Sequence, residues 1–81
     1  MSITTVYAGK QQKVEVETRQ GEFQIHIPQH KDDQFEIAEY FEGMQESTVA
    51  VYPQEMQELI DGMLTAMGKY REKFGYGPSK I

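Results

Sequence analysis

The spacing of apolar residues between Pro53 and Phe74 constrains this chain more than any other feature. Large apolar side chains recur there at steps of three and four residues, at Met56, Leu59, Ile60, Met63, Leu64, Met67, Tyr70 and Phe74. At about 100° per residue these positions fall on one side of a helix, and we call them the helix stripe. Pro53 suits a first helical turn, and Gly75 suits the residue that follows the last turn. The sequence therefore predicts one amphipathic helix from Pro53 to Phe74.

Two strands are predicted in the N-terminal third, because apolar and polar residues alternate in residues 13–19 and again in residues 22–27. Gln20-Gly21 between them resembles a two-residue hairpin loop, with glycine where a positive φ is needed. That loop length pairs Arg19 with Glu22 and places Val16 opposite Ile25 and Glu15 opposite His26. Apolar residues then share one face of the hairpin, and polar residues share the other.

Two further strands are predicted on either side of this hairpin. Ile3 to Ala8 precedes it, with residues 9–12 as a four-residue loop that places Tyr7 opposite Val14. Ser47 to Tyr52 is short and rich in β-branched residues, and Pro53 ends it. The first three strands form a meander, and the fourth joins the same antiparallel sheet.

Residues 33–44 fit two structures, of which we favour a short helix. Asp33 and Glu36 have the spacing of a helix capping box, and Ile37, Tyr40 and Met44 follow at helical steps. A fifth strand is the alternative, because alternate positions in this segment also carry apolar residues, and periodicity decides poorly over so short a run.

The predicted fold class is therefore α+β. A small antiparallel β-sheet, with a meander of three strands plus a fourth strand, packs one face against the C-terminal amphipathic helix. Residues 1–75 are expected to form a single domain, and residues 76–81 a flexible C-terminal tail.

Negative charge is concentrated in the middle of the chain. Nine acidic residues occur there without one lysine or arginine, and we call them the acidic segment: Asp32, Asp33, Glu36, Glu39, Glu42, Glu46, Glu55, Glu58 and Asp61. The other residues carry an excess of base, and the whole chain has a net charge of −5. Nucleic acid and anionic lipid are unexpected as direct partners, because both select basic surfaces. The acidic segment fits two interpretations: a solvated face that also caps helices, or a docking surface for a basic protein, such as the nucleic-acid groove of a nucleic-acid-binding protein.

The compartment expected from the composition is the cytoplasm. The chain has no cysteine, which excludes disulfides and thiolate metal sites. Its first residues lack the basic start and apolar run of a signal peptide, and no apolar stretch is long enough to span a membrane.

Catalytic, cofactor and metal sites are not predicted. His26 and His30 lie near Asp32 and Asp33, but this spacing matches no strong metal-binding motif. No serine lies in a recognisable nucleophile motif. Gly75 and Gly77 are closely spaced, but they follow the predicted helix, whereas a phosphate-binding loop precedes a helix. A chain this short also has little room for a pocket that excludes water.

These observations favour a non-catalytic protein-interaction module. Small acidic chains without cysteine are common among accessory and inhibitor proteins of phages and mobile elements, and size and composition, not a motif, support that interpretation. One alternative is a structural homodimer that pairs through the helix stripe or a sheet edge. Another is a small metal- or ligand-dependent enzyme that uses His26 or His30.

Overall fold

The computed structural model describes residues 1–75, which form one five-stranded antiparallel sheet followed by one helix. The elements are β1 (Ser2–Ala8), β2 (Gln11–Glu17), β3 (Glu22–Ile27), β4 (Phe35–Phe41), β5 (Met44–Val51) and α1 (Pro53–Phe74). The α+β class and the C-terminal helix are as the sequence predicts. The flexible tail predicted for residues 76–81 lies outside the described residues.

The sheet is a meander, with each strand hydrogen-bonded to the next one along the chain in the order β1-β2-β3-β4-β5. The predicted register of β2 and β3 is wrong by two residues, because Val16 pairs with Phe23 and Lys13 with His26. The loop has four residues, 18–21, and not two. It is closed by Thr18, whose amide and hydroxyl both donate to the carbonyl oxygen of Gly21, at 2.8 and 3.0 Å.

Gly21 is required for close packing and not for a positive φ, which contradicts the sequence-based interpretation. Its φ lies outside the left-handed region. A Cβ atom at this position would instead collide with the backbone carbonyl of Tyr40 in β4. The turn between β2 and β3 therefore lies directly against the neighbouring strand.

The register of β1 and β2 also differs from the prediction by two residues. Thr5 pairs with Val14 and Tyr7 with Gln12, so the connection is only Gly9 and Lys10. Gly9 has a φ of 64°, the left-handed conformation that glycine adopts without strain. A shift by two residues leaves each side chain on its predicted face, so the apolar pattern is the same in both registers.

The short helix predicted for residues 33–44 is wrong, and the alternative of a fifth strand is correct. Strand β4 pairs with β3 on one side and with β5 on the other, so both of its edges are hydrogen-bonded. The β4–β5 hairpin turns through Glu42 and Gly43, which both have positive φ, at 52° and 79°. This is the two-residue turn that suits the twist of a hairpin, and it extends β5 back to Met44.

Helix α1 has the predicted bounds and the predicted ends. Pro53 is its first residue, and the backbone amide of Tyr52 donates to the Glu55 carboxylate at 3.0 Å. At the other end Gly75 has a φ of 89°, and its amide donates to the carbonyl oxygen of Arg71 at 2.7 Å. Local sequence signals thus account for where the helix begins and ends.

Helix α1 does not bury its stripe within the chain, although the sequence predicts that it covers the sheet. No helix residue is buried, and α1 shares few close contacts with the strands. Among the described residues Ala38 alone is a buried hydrophobic, with 1% of its surface exposed. Residues 1–75 therefore fold as a sheet and a helix with little enclosed core, and many of their large apolar side chains are exposed.

Candidate interaction surfaces

One face of the sheet is apolar, because strand register brings eleven large hydrophobic residues from the five strands to the same side. We call this the apolar sheet face, and its residues are Ile3, Tyr7, Val14, Val16, Phe23, Ile25, Ile27, Phe35, Ile37, Val49 and Val51. None of them is buried. Tyr7 is 68% exposed at one edge of the sheet, and Val49 is 51% exposed at the other. No part of the described chain seals this face from water.

The helix stripe is a second apolar surface without a cover. Leu64 is 67% exposed, Phe74 62% and Met63 55%. Met56 and Met67 are half-buried, and the other six residues of the stripe are exposed. A Cβ atom added at Gly62 or Gly68 would meet nothing within 4 Å, so nothing lies closely against those positions either.

The two apolar surfaces were each recognisable in the sequence, but their exposure was not. Periodicity shows that a stripe or a strand face must be covered by something, and it does not show by what. Contiguous exposed apolar surface on a folded chain is typical of contact sites for other molecules.

The opposite face of the sheet is polar and internally hydrogen-bonded. Lys13 bonds to Gln24 at 3.2 Å and forms an ion pair with Glu15 at 3.1 Å. On the other side of Ala38, the hydroxyl of Tyr40 donates to the side chain of Gln45 at 3.3 Å. Ala38 is buried because it is the small residue between these two groups of longer side chains, paired with Gln24 in β3 and with Thr48 in β5.

The acidic segment does not form one surface, because strand β4 separates its members. One group lies near the tip of the β4–β5 hairpin: Glu39, Glu42 and Glu46. A second group lies at the opposite end, in the β3–β4 loop, at the start of β4 and in the first turns of the helix: Asp32, Asp33, Glu36, Glu55, Glu58 and Asp61. Glu36 and Glu39 are three residues apart in β4, about 10 Å, but they lie on opposite faces of the sheet, so the hairpin-tip group and the helix-start group are distinct.

All nine side chains of the acidic segment are exposed, and several have local structural partners. Ser47 donates to Glu39 at 3.3 Å, and Gln57 donates to Asp61 at 3.3 Å. Asp33 accepts the amide of Gln34 at 2.9 Å. Together with the helix-capping carboxylate of Glu55, these bonds show that part of the segment supports turns and helix ends.

The histidines do not meet at a common site. His26 lies in β3 on the polar face, where it pairs with Lys13 and Glu36 and not with the predicted Glu15. His30 is exposed in the β3–β4 loop. Within residues 1–75 no group of three or more histidine and acidic side chains could hold a metal ion.

A groove of about 430 Å³ lies between the β3–β4 loop and the start of the helix. It is lined by Lys31, Asp32, Tyr52, Pro53 and Gln54, all of them exposed. A groove walled by exposed side chains does not exclude water. Exclusion of water is what strengthens electrostatic contacts inside a closed site.

No protein-family model matches this sequence, and it matches no curated protein and no solved structure. Within residues 1–75 the helix α1 is not apolar enough to cross a membrane. Functional inference therefore rests on the two apolar surfaces and on the acidic segment.

Proposed function

We propose that this chain is a non-catalytic protein-interaction module. The observation that supports the proposal is the accessible apolar surface of the sheet and the helix, with Tyr7 and Leu64 each about two-thirds exposed, at 68% and 67%. Exposed apolar surface is unfavourable in water by about 25 cal/mol per Å², so a protein partner that covers it gains affinity. The module acts by binding, and the helix stripe is part of its contact surface.

The test compares the native chain with Leu64→Glu and with a matched control, Thr65→Glu. Leu64 belongs to the stripe, whereas Thr65 lies about 100° further round the helix and outside the stripe, and both are exposed. Each substitution adds one carboxylate to an exposed helix position, so each should change the stability of the isolated chain by no more than about 0.5 kcal/mol. Burial of the stripe in a complex would make only Leu64→Glu disruptive.

The measurement is light scattering of the purified chain, followed by affinity capture with a tagged chain from cell lysate. We expect a stoichiometric complex, with itself or with another protein, that forms with the native chain and Thr65→Glu but not with Leu64→Glu. A native chain that is monomeric and captures no protein would contradict the proposal. So would a complex that both variants form equally well.

We further propose that the acidic segment directs such a module to a basic partner, as an accessory or inhibitor protein would be directed to a nucleic-acid-binding protein. The supporting observation is that all nine carboxylates are accessible. They form the hairpin-tip group and the helix-start group, so the partner surface would contact one group or bridge both. Long-range attraction of this kind raises the association rate and weakens with salt.

Charge reversal in each group shows whether the partner contacts one group or both. One variant changes Glu39, Glu42 and Glu46 to lysine, and the other changes Asp32, Asp33 and Glu36 to lysine. We expect capture of a basic protein to weaken at high salt and to be lost in at least one variant, with circular dichroism unchanged. Salt-independent capture, or capture by both variants that is undiminished relative to the native chain, would contradict an electrostatic role.

A further inference from the structure

We propose that the occupant of both apolar surfaces is a second copy of this chain, and that the two copies exchange their helices. In this arrangement α1 of each copy lies across the apolar sheet face of the other. The inference rests on the proposed interaction function and adds the identity of the partner.

The accessible area of the chain is the first argument. The whole chain exposes 6894 Å², whereas a compact protein of 9.4 kDa exposes about 5,000 Å². The excess, about 1,900 Å², matches what each subunit loses in a large obligate homodimer, about 1,000–2,500 Å². The radius of gyration is also large, at 14.6 Å against about 12 Å for a compact chain of this length. A second copy that covered both surfaces would bring the area per chain into the normal range.

The connection between β5 and α1 is the second argument. Val51 ends the strand and Pro53 begins the helix, so Tyr52 alone joins them. Connections in packed strand–helix units have two to six residues. Here proline fixes φ at the first helical position and Glu55 holds the amide of Tyr52, which leaves little freedom to fold the helix back over its own sheet. Short hinges of this kind favour exchange of an element between copies.

The dimensions and chemistry of the two surfaces are the third argument. The helix stripe runs about 27 Å from Met56 to Phe74, and a sheet of five strands, about 20 Å long and about 19 Å wide, has a diagonal of about 28 Å, so the stripe matches the diagonal of the sheet. The apolar sheet face offers one charged neighbour, Glu39, whereas the other face carries Lys13, Glu15, Glu36 and His26 among others. An apolar stripe therefore has one suitable sheet face, and each copy supplies both halves of the contact.

Sedimentation and thermal unfolding test the dimer. We expect the native chain to sediment as a dimer at micromolar concentration, with a Tm that rises with protein concentration. We expect Leu64→Glu to weaken dimerisation at least about 100-fold, because each dimer would bury two added carboxylates. A native chain that stays monomeric at high micromolar concentration, with a Tm independent of concentration, overturns the inference. If that monomer still captures another protein, the proposed function stands and only the inference fails.

Cross-linking through introduced cysteines tests the helix exchange, since the native chain has no cysteine. One chain carries Leu64→Cys in the helix stripe, and a differently tagged chain carries Thr5→Cys, which lies on the side of the apolar sheet face. The control is Thr4→Cys, which is also exposed in the same strand but lies on the polar face. The two chains are refolded together and treated with a short bis-maleimide.

We expect cross-links between Leu64→Cys and Thr5→Cys chains and none with Thr4→Cys chains. Cross-links that join only two Leu64→Cys chains overturn the exchange, because they place helix against helix. A double variant that carries Thr5→Cys and Leu64→Cys in the same chain tests whether the helix lies on its own sheet or on that of the other copy. Cross-linked species of dimer mass support the inference, and a cross-linked monomer overturns it, because the helix then lies on its own sheet.

Discussion

In the sheet every strand is hydrogen-bonded to the next one along the chain, whereas helix α1 satisfies its backbone within itself and buries no residue. Side chains in the sheet are also held by neighbours in adjacent strands, as Ala38 is by Gln24 and Thr48. The helix has well-formed ends and few close contacts with the strands. Local signals are therefore enough to form a helix or strand, whereas its side chains are held in fixed positions only where another surface covers them. Within a single chain, substitutions should therefore be costly in the sheet and mild on the side of the helix away from the stripe.

The largest effect is expected for Gly21→Ala. The added Cβ would collide with the backbone carbonyl of Tyr40, which cannot rotate away as a side chain can. We expect the free energy of unfolding to fall by roughly 2–4 kcal/mol. Urea denaturation followed by circular dichroism measures it. A loss below about 0.5 kcal/mol would mean that the turn and β4 are not in contact.

A smaller loss is expected for Ala38→Leu. Ala38 is 1% exposed between two groups of polar side chains, so a larger residue must displace them, at a cost of about 1–3 kcal/mol. The matched control is Ala50→Leu, the same change on the same face but exposed in the edge strand β5. Equal denaturation midpoints for the two variants would show that Ala38 is not enclosed.

A gain of about 1 kcal/mol is expected for Glu42→Asn. Glu42 has a φ of 52°, a left-handed conformation that asparagine tolerates better than glutamate. Glu46→Asn removes the same charge from a nearby residue whose φ is not positive, so it controls for electrostatics. A higher Tm for Glu46→Asn than for Glu42→Asn would contradict this account of the turn.

The smallest effect is expected in the helix, for Gly62→Ala. An added methyl group at Gly62 meets nothing within 4 Å, so the change should stabilise the chain by about 0.5–1 kcal/mol through helix propensity. Thermal unfolding by circular dichroism measures it. A destabilised variant would show that this side of the helix is packed, and the contrast between sheet and helix would then fail.

The sequence predicts those features that depend on neighbouring residues along the chain. Helix α1 was predicted from Pro53 to Phe74 because its stripe, proline and glycine are all local signals. The register of β2 and β3 was missed by two residues, because apolar alternation has a period of two and cannot distinguish the two pairings. The hydrogen bonds of Thr18 across the turn decide between them.

Features that depend on the assembled sheet were harder to predict. Strand β4 has the apolar spacing of a helix, and pairing along both of its edges decides in favour of a strand. Glu42-Gly43 was the one local sign of a hairpin, and glutamate is unusual in such a turn. The acidic segment is continuous in sequence, yet it divides into two groups because β4 carries the chain from one end of the sheet to the other.

The meander order of the strands has a kinetic consequence. The connections between successive strands have two, four, seven and two residues, so folding of the sheet closes only short loops. On the ribosome all five strands emerge before the helix does, and each can pair with the one just made. Formation of the sheet is then a fast step independent of concentration, and any association through the apolar surfaces follows as a slower step whose rate depends on the amount of protein.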